Sequence, residues 1–227
     1  MLSSLFSGDI KTFVVSLLLS LPIILLSLSV HETAHGYAAY KLGDPTAHSL
    51  GRISLNPLKH LDPIGFICML LCGFGWAKPV PINTRYFKKP KRDMAITGAA
   101  GPLSNLLLAA VFALLLGLEF KFANSLFISG IGISEKTIMA LHWTQQFLII
   151  GLRLNVTLAV FNLLPVPPLD GSRIFLVFVP SKLYWKIMQY ERYIYLVVIF
   201  ALFFGLLDLP IAIISDFIID LLVKIFV

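Results

Sequence analysis

His31-Glu32-Thr33-Ala34-His35 places two imidazoles one helical turn apart, with a carboxylate beside the first. Residues i and i+4 of a helix lie nearly above one another, so both histidines can reach one metal ion. Glu32 falls about 100° around the helix from His31, within reach of a water held by that ion. The chemistry such a set supports is metal-assisted hydrolysis, with two nitrogen ligands and a general base. The setting is a membrane, because the five residues end the apolar run TFVVSLLLSLPIILLSLSV. Ionisable groups at membrane depth are costly, so their presence argues for a function.

Hydrolytic zinc sites usually hold three protein ligands and leave a fourth position for water. A third ligand is offered by Asp170 in Asn162-Leu163-Leu164-Pro165-Val166-Pro167-Pro168-Leu169-Asp170-Gly171. Three prolines in four residues cannot continue a helix, so the backbone unwinds there. Non-helical backbone near a membrane survives only against protein or a water-filled cavity, and Asp170 would bring a carboxylate into it.

These groups must be positioned by apolar helices. Of 227 residues, 58% are hydrophobic and 13% charged; a soluble domain carries roughly 25% charge. The composition predicts a single all-α polytopic membrane domain over 1–227. Core spans are expected over about 12–40, 94–118 and 140–164, and C-terminal helices over about 193–207 and 210–227. Asp216, Asp220 and Lys224 give the last segment a polar stripe, so it reads as a fifth span or an interfacial helix. Residues 64–76 are too short to cross as a helix, and the stretch 64–83 reads as a re-entrant or interfacial hairpin. Segment 119–138 reads as a charge-balanced connection.

The net charge of +6 is concentrated in 77–93, where six Lys and Arg face only Asp93, giving +5. Between apolar segments this is a cytoplasmic positive-inside loop rather than a nucleic-acid surface. With that loop inside, span one ends on the same side, and His31 lies roughly 15 Å from the boundary at Lys41. Asn105 lies roughly 18 Å along span two from Asp93, so the two come to a similar depth. Cys68 and Cys72 read as free thiols. His48, His60 and His142 lack ligand spacing and read as loop histidines. Asn155-Val156-Thr157 fits a glycosylation sequon but lies inside an apolar span, and is set aside.

HExxH, Gly101-Pro102-Leu103-Ser104-Asn105 and the NxxPxPxLDG stretch, in this order on three apolar spans, resemble the site-2 protease family of intramembrane zinc metalloproteases, peptidase family M50. The resemblance implies one zinc ion per chain held by His31, His35 and Asp170, with Glu32 as general base. It implies that Asn105 holds substrate or supports a developing oxyanion, and that Asn162 supports the site. The substrate implied is a transmembrane protein in the lipid bilayer, with another protease as a partner that trims it first. The setting implied is a prokaryotic cytoplasmic membrane, with the active site toward the cytoplasm. The chain resembles compact members, with neither a PDZ nor a nucleotide-sensing domain in these residues. Neither oligomeric state nor substrate identity follows. Two rivals make different demands: a divalent-metal transporter needs ligands along a through-path and no base, and a silent membrane-binding protein would lose Glu32 or a ligand.

Overall fold

The computed structural model describes residues 10–72, 77–129 and 133–227. Its helices are α1 (Ile10–Lys41), α2 (Thr46–Ser49), α3 (Pro63–Cys72), α4 (Pro90–Ile128), α5 (Glu135–Asn162), α6 (Asp170–Phe175), α7 (Ser181–Gln189), α8 (Glu191–Phe203) and α9 (Asp208–Phe226). No strand occurs among the described residues, so the protein is all-α. Within α1, α4 and α5 lie three segments long and apolar enough to cross a membrane: Val14–Lys41, Pro90–Ile128 and Glu135–Asn162.

Helix α4 is central, touching α1, α5, α6 and α9. Its buried positions explain why. Asp93, Thr97, Gly101, Asn105, Ala109, Ala113 and Gly117 recur every fourth residue and form one stripe of small and polar side chains. Small residues let membrane helices approach closely, and this stripe receives the neighbours at several levels. Below the polar level the stripe passes into the apolar core of Ile23, Phe112, Leu116, Leu148, Leu152 and Val156. Gly151 of α5 permits the contact with Phe112, since a Cβ there would lie 2.4 Å from the ring.

Helix α4 begins before the span read from sequence and continues past it through Glu119 and Lys121 to Ile128. Charges mark where lipid ends, whereas a helix stops only where its backbone bonding stops. Most of the expected 119–138 connection is therefore helical.

The 64–83 stretch has a helical first limb, α3, and an extended second limb from Ala77 onward. Residues 73–76, Trp76 among them, lie outside the described residues. The two limbs are joined at their base by one antiparallel bridge between Leu61 and Ala77, and Lys78 N–H donates to the His60 carbonyl at 2.8 Å. The returning limb is tied down at both sides. Arg52 donates to the Lys78 carbonyl at 2.7 Å, and Asn83 N–H donates to the buried Asp44 carboxylate at 2.6 Å.

Candidate metal centre

Helix α1 brings His31 and His35 to one face, buried at 6% and 7% exposure. The chain turns through the prolines after α5 and returns Asp170 at the first position of α6. Gly171 makes this turn fit, because a Cβ there would sit 2.2 Å from the Leu163 carbonyl oxygen. Three donor atoms converge: Nε2 of His31 and Nε2 of His35 are 3.0 Å apart, and Asp170 Oδ2 is 3.1 Å from each.

The outer faces of the imidazoles fix their protons. His35 Nδ1 lies 2.7 Å from the Thr97 carbonyl, which can only accept, so Nδ1 carries a hydrogen and Nε2 is the nitrogen left bare in the neutral ring. His31 Nδ1 lies 3.0 Å from Asn105 Oδ1 and donates in the same way. In their neutral form both rings direct a bare Nε2 at the Asp170 carboxylate oxygen. In that form a cation between the three donor atoms relieves the repulsion of their lone pairs. Tetrahedral zinc with bonds of about 2.0–2.1 Å separates its ligands by roughly 3.3–3.4 Å, close to the triangle found. Anchoring of the distal ring nitrogen by carbonyl or amide oxygen is also the usual outer support of metal-bound histidine. The donor set fits a metal ion, and these three residues could hold one. Asp170 lies outside the three long helices.

Glu32 is half-buried and accepts the Val80 N–H through Oε2 at 2.8 Å. Pro79 and Pro81 lack N–H groups, so Val80 supplies the one donor at this point of the limb, and it fixes the carboxylate. The similar depths expected for His31 and Asn105 are met, since their side chains touch. Asn105, however, is fully buried, and both ends of its amide are engaged, with Oδ1 on His31 and Nδ2 toward Asn155 Oδ1 at 3.4 Å. Its side chain thus lies between His31 and Asn155 with no exposed surface. Asn162 is half-buried at the end of α5 and donates to the Leu158 carbonyl at 3.0 Å; no hydrogen bond joins it to the triad.

Four contributors were not singled out for these roles in the sequence. They are the Thr97 carbonyl, the Val80 N–H, Gly101 and Asn155. A Cβ on Gly101 would lie 2.4 Å from His35 Nε2 and 2.6 Å from His31 Cε1, so the bare glycine is what admits the rings. The fourfold spacing of Thr97, Gly101 and Asn105 was a readable signal for one face. Asn155, a polar residue at membrane depth, was another. Of the remaining histidines, His48 stacks on Tyr40, His60 is buried with Nε2 on the Ser54 carbonyl at 2.7 Å, and His142 meets Trp143 edge-on.

The model of peptidase family M50 matches residues 19–206. YwhC of Bacillus subtilis, by its name a candidate zinc metalloprotease, is 44% identical over 177 residues, covering 77% of this chain and 75% of that protein. Rip2 of Mycolicibacterium smegmatis, named likewise, is 35% identical over 156 residues, covering 65% and 52%. MJ0611 of Methanocaldococcus jannaschii, also so named, is 34% identical over 112 residues, covering 49% and 48%. The chain therefore spans three quarters of YwhC and about half the length of Rip2 and MJ0611. No solved structure matches the chain significantly. A family match over most of the chain, joined to this identity with YwhC, supports one classification: the chain belongs to peptidase family M50, the site-2 protease family, and is a metalloendopeptidase.

Proposed function

We propose that the protein hydrolyses peptide bonds in or near transmembrane segments of other membrane proteins, using one zinc ion per chain. The observation that carries this reading is the convergence of His31 Nε2, His35 Nε2 and Asp170 Oδ2 beside Glu32, among helices long and apolar enough to cross a bilayer.

His31, His35 and Asp170 would hold the ion. When bound, zinc supplies Lewis acidity and lowers the pKa of a water toward about 7. Glu32 takes a proton from the attacking water as its oxygen bonds to the peptide carbon. The C–N bond then breaks, and Glu32 delivers that proton to the leaving amine. The Val80 N–H orients the carboxylate, while Asn105 and the Thr97 carbonyl orient the rings. We assign Asn105 this orienting role in place of oxyanion support, because its amide has no free end. Asn162, at the end of α5, would support the site indirectly through the turn that leads to Asp170.

A cavity of about 640 Å³ supports the membrane-embedded substrate class. It opens between α1, α5, α9 and the segment containing Pro57–Lys59 and α3, and Leu25, Leu28 and Ser29 line it on α1. Glu32 continues that face one turn on, so the cavity leads toward the base. Two buried side chains on its walls, His60 and Ser215, leave Nδ1 and Oγ without a hydrogen-bond partner. The basic 77–93 segment supports a prokaryotic cytoplasmic membrane with the site toward the cytoplasm. A protease that first trims the substrate is consistent with a cavity of this size.

The test is the purified chain in liposomes with a transmembrane substrate, with cleavage mapped by mass spectrometry. Cuts in or beside the span that stop on chelation and return with zinc are expected. Cleavage that ignores chelation, or that falls only in soluble loops, would overturn the proposal.

A further inference from the structure

Asn155 belongs to no motif that the function has absorbed, yet it is fully buried beside the metal centre. Its bonding has a direction imposed by chemistry. Asn155 Nδ2 lies 2.8 Å from the Gly151 carbonyl one turn earlier in α5. A carbonyl only accepts, so the amide nitrogen must face it and Oδ1 must face away. That oxygen lies 3.4 Å from Asn105 Nδ2. An oxygen there requires a donor opposite, which turns the Asn105 amide so that its own Oδ1 meets His31 at 3.0 Å. The imidazole must then donate from Nδ1. Four groups on three helices therefore pass one instruction from the Gly151 backbone to His31.

We propose that Asn155 is a positioning residue for the metal centre: through Asn105 it fixes the His31 ring with its proton on Nδ1 and its Nε2 bare. The relay rests on the reading of His31 as a metal ligand. It differs from a mere hydrogen bond between helices, because its effect must travel through Asn105 to metal affinity. Without Asn155 the Asn105 amide has no reason to prefer one face. When flipped, it would present N–H groups to His31 Nδ1 and favour the tautomer whose Nε2 carries the proton, which cannot bind metal. The Thr97 carbonyl holds His35 independently, so one ligand would be lost rather than the whole centre.

The test is a cycle of Asn155→Leu, Asn105→Leu and the double variant in the full chain, in one detergent. Zinc affinity is read by competition with a chromogenic chelator, and unfolding of the metal-free forms is followed in parallel. Removing an outer support of a metal-bound histidine costs about 10–100-fold in affinity. Asn155→Leu is expected to lose that much in the native background and less than about threefold more once Asn105 is already leucine. Equal losses in both backgrounds, or an unchanged affinity in Asn155→Leu, would overturn the relay. If Asn155→Leu does not fold, Asn155→Ser serves. Its hydroxyl can return to the i−4 carbonyl, as Ser27 does on Ile23 at 2.7 Å, but its oxygen falls short of Asn105. The same affinity loss is expected, and native affinity would overturn the relay. A native chain that binds no zinc would instead overturn the metal reading itself, so the two failures are distinct.

Discussion

Gly101→Ala sets two calculable effects against each other. In a helix interior, alanine is favoured over glycine by about 1 kcal/mol, so propensity alone predicts a more stable α4. Sterics predict the reverse for the site. The new Cβ would stand 2.4 Å from His35 Nε2, whereas ordinary contact begins at 3.4 Å, so the rings and α4 must separate by 1.0 Å. Neither ring can slide freely, because His31 is held at Nδ1 by Asn105 and His35 by the Thr97 carbonyl. Metal–ligand distances tolerate only about ±0.2 Å, so the shift exceeds what a bound ion allows by several-fold. Loss of an outer support alone costs about 10–100-fold in affinity, and displacing two ligands should cost at least the upper figure, or about 2.7 kcal/mol. The assay is zinc competition against a chelator, together with thermal unfolding of the metal-free protein and cleavage of a transmembrane substrate. Affinity should fall at least about 100-fold and cleavage with it, while the metal-free protein, with overpacking set against helix propensity, loses no more than about 2 kcal/mol of stability. Zinc affinity within threefold of native would refute the claim that α4 is set at glycine distance to seat the rings.

Other predictions address the remaining parts. Gly151→Ala forces a Cβ to 2.4 Å from the Phe112 ring, and such overpacking should destabilise the bundle by about 1–3 kcal/mol, read as an earlier thermal transition at unchanged zinc affinity. Ala212→Trp fills the cavity on its α9 wall and should cut transmembrane-substrate cleavage at least about tenfold without altering zinc binding; unchanged cleavage would exclude the cavity as the substrate seat. Chelation should lower thermal stability, since a ligand at 100 times its dissociation constant contributes about 2.7 kcal/mol to the folded state, and readdition of zinc should restore it.

What the sequence disclosed and concealed follows from range. The three long helices were legible because an apolar run of that length has few other places to go, and the meeting of His31 and His35 because i, i+4 spacing brings them together without tertiary knowledge. Asp170 was legible from local chemistry, since a proline-broken segment at membrane depth needs a cavity. The end of α4 was hidden, because Glu119 and Lys121 are good helix formers that look like a loop only on a hydropathy scale. The prop for His31 was hidden for another reason. Asn155 and Asn105 are fifty positions apart, and only the packing of α5 on α4 passes the orientation of one amide to the other. Gly101 was visible as part of a motif, but its contact with two imidazoles on α1 was not.

The role of Glu32 as the proton carrier of a zinc-dependent peptide hydrolysis is tested most directly by Glu32→Ala, with metal content and cleavage measured on the same preparation. His31, His35 and Asp170 are untouched by this change, so one zinc per chain should remain while cleavage of the transmembrane substrate falls by about 10²–10⁴-fold, the contribution of a general base. Undiminished cleavage with zinc retained would contradict it.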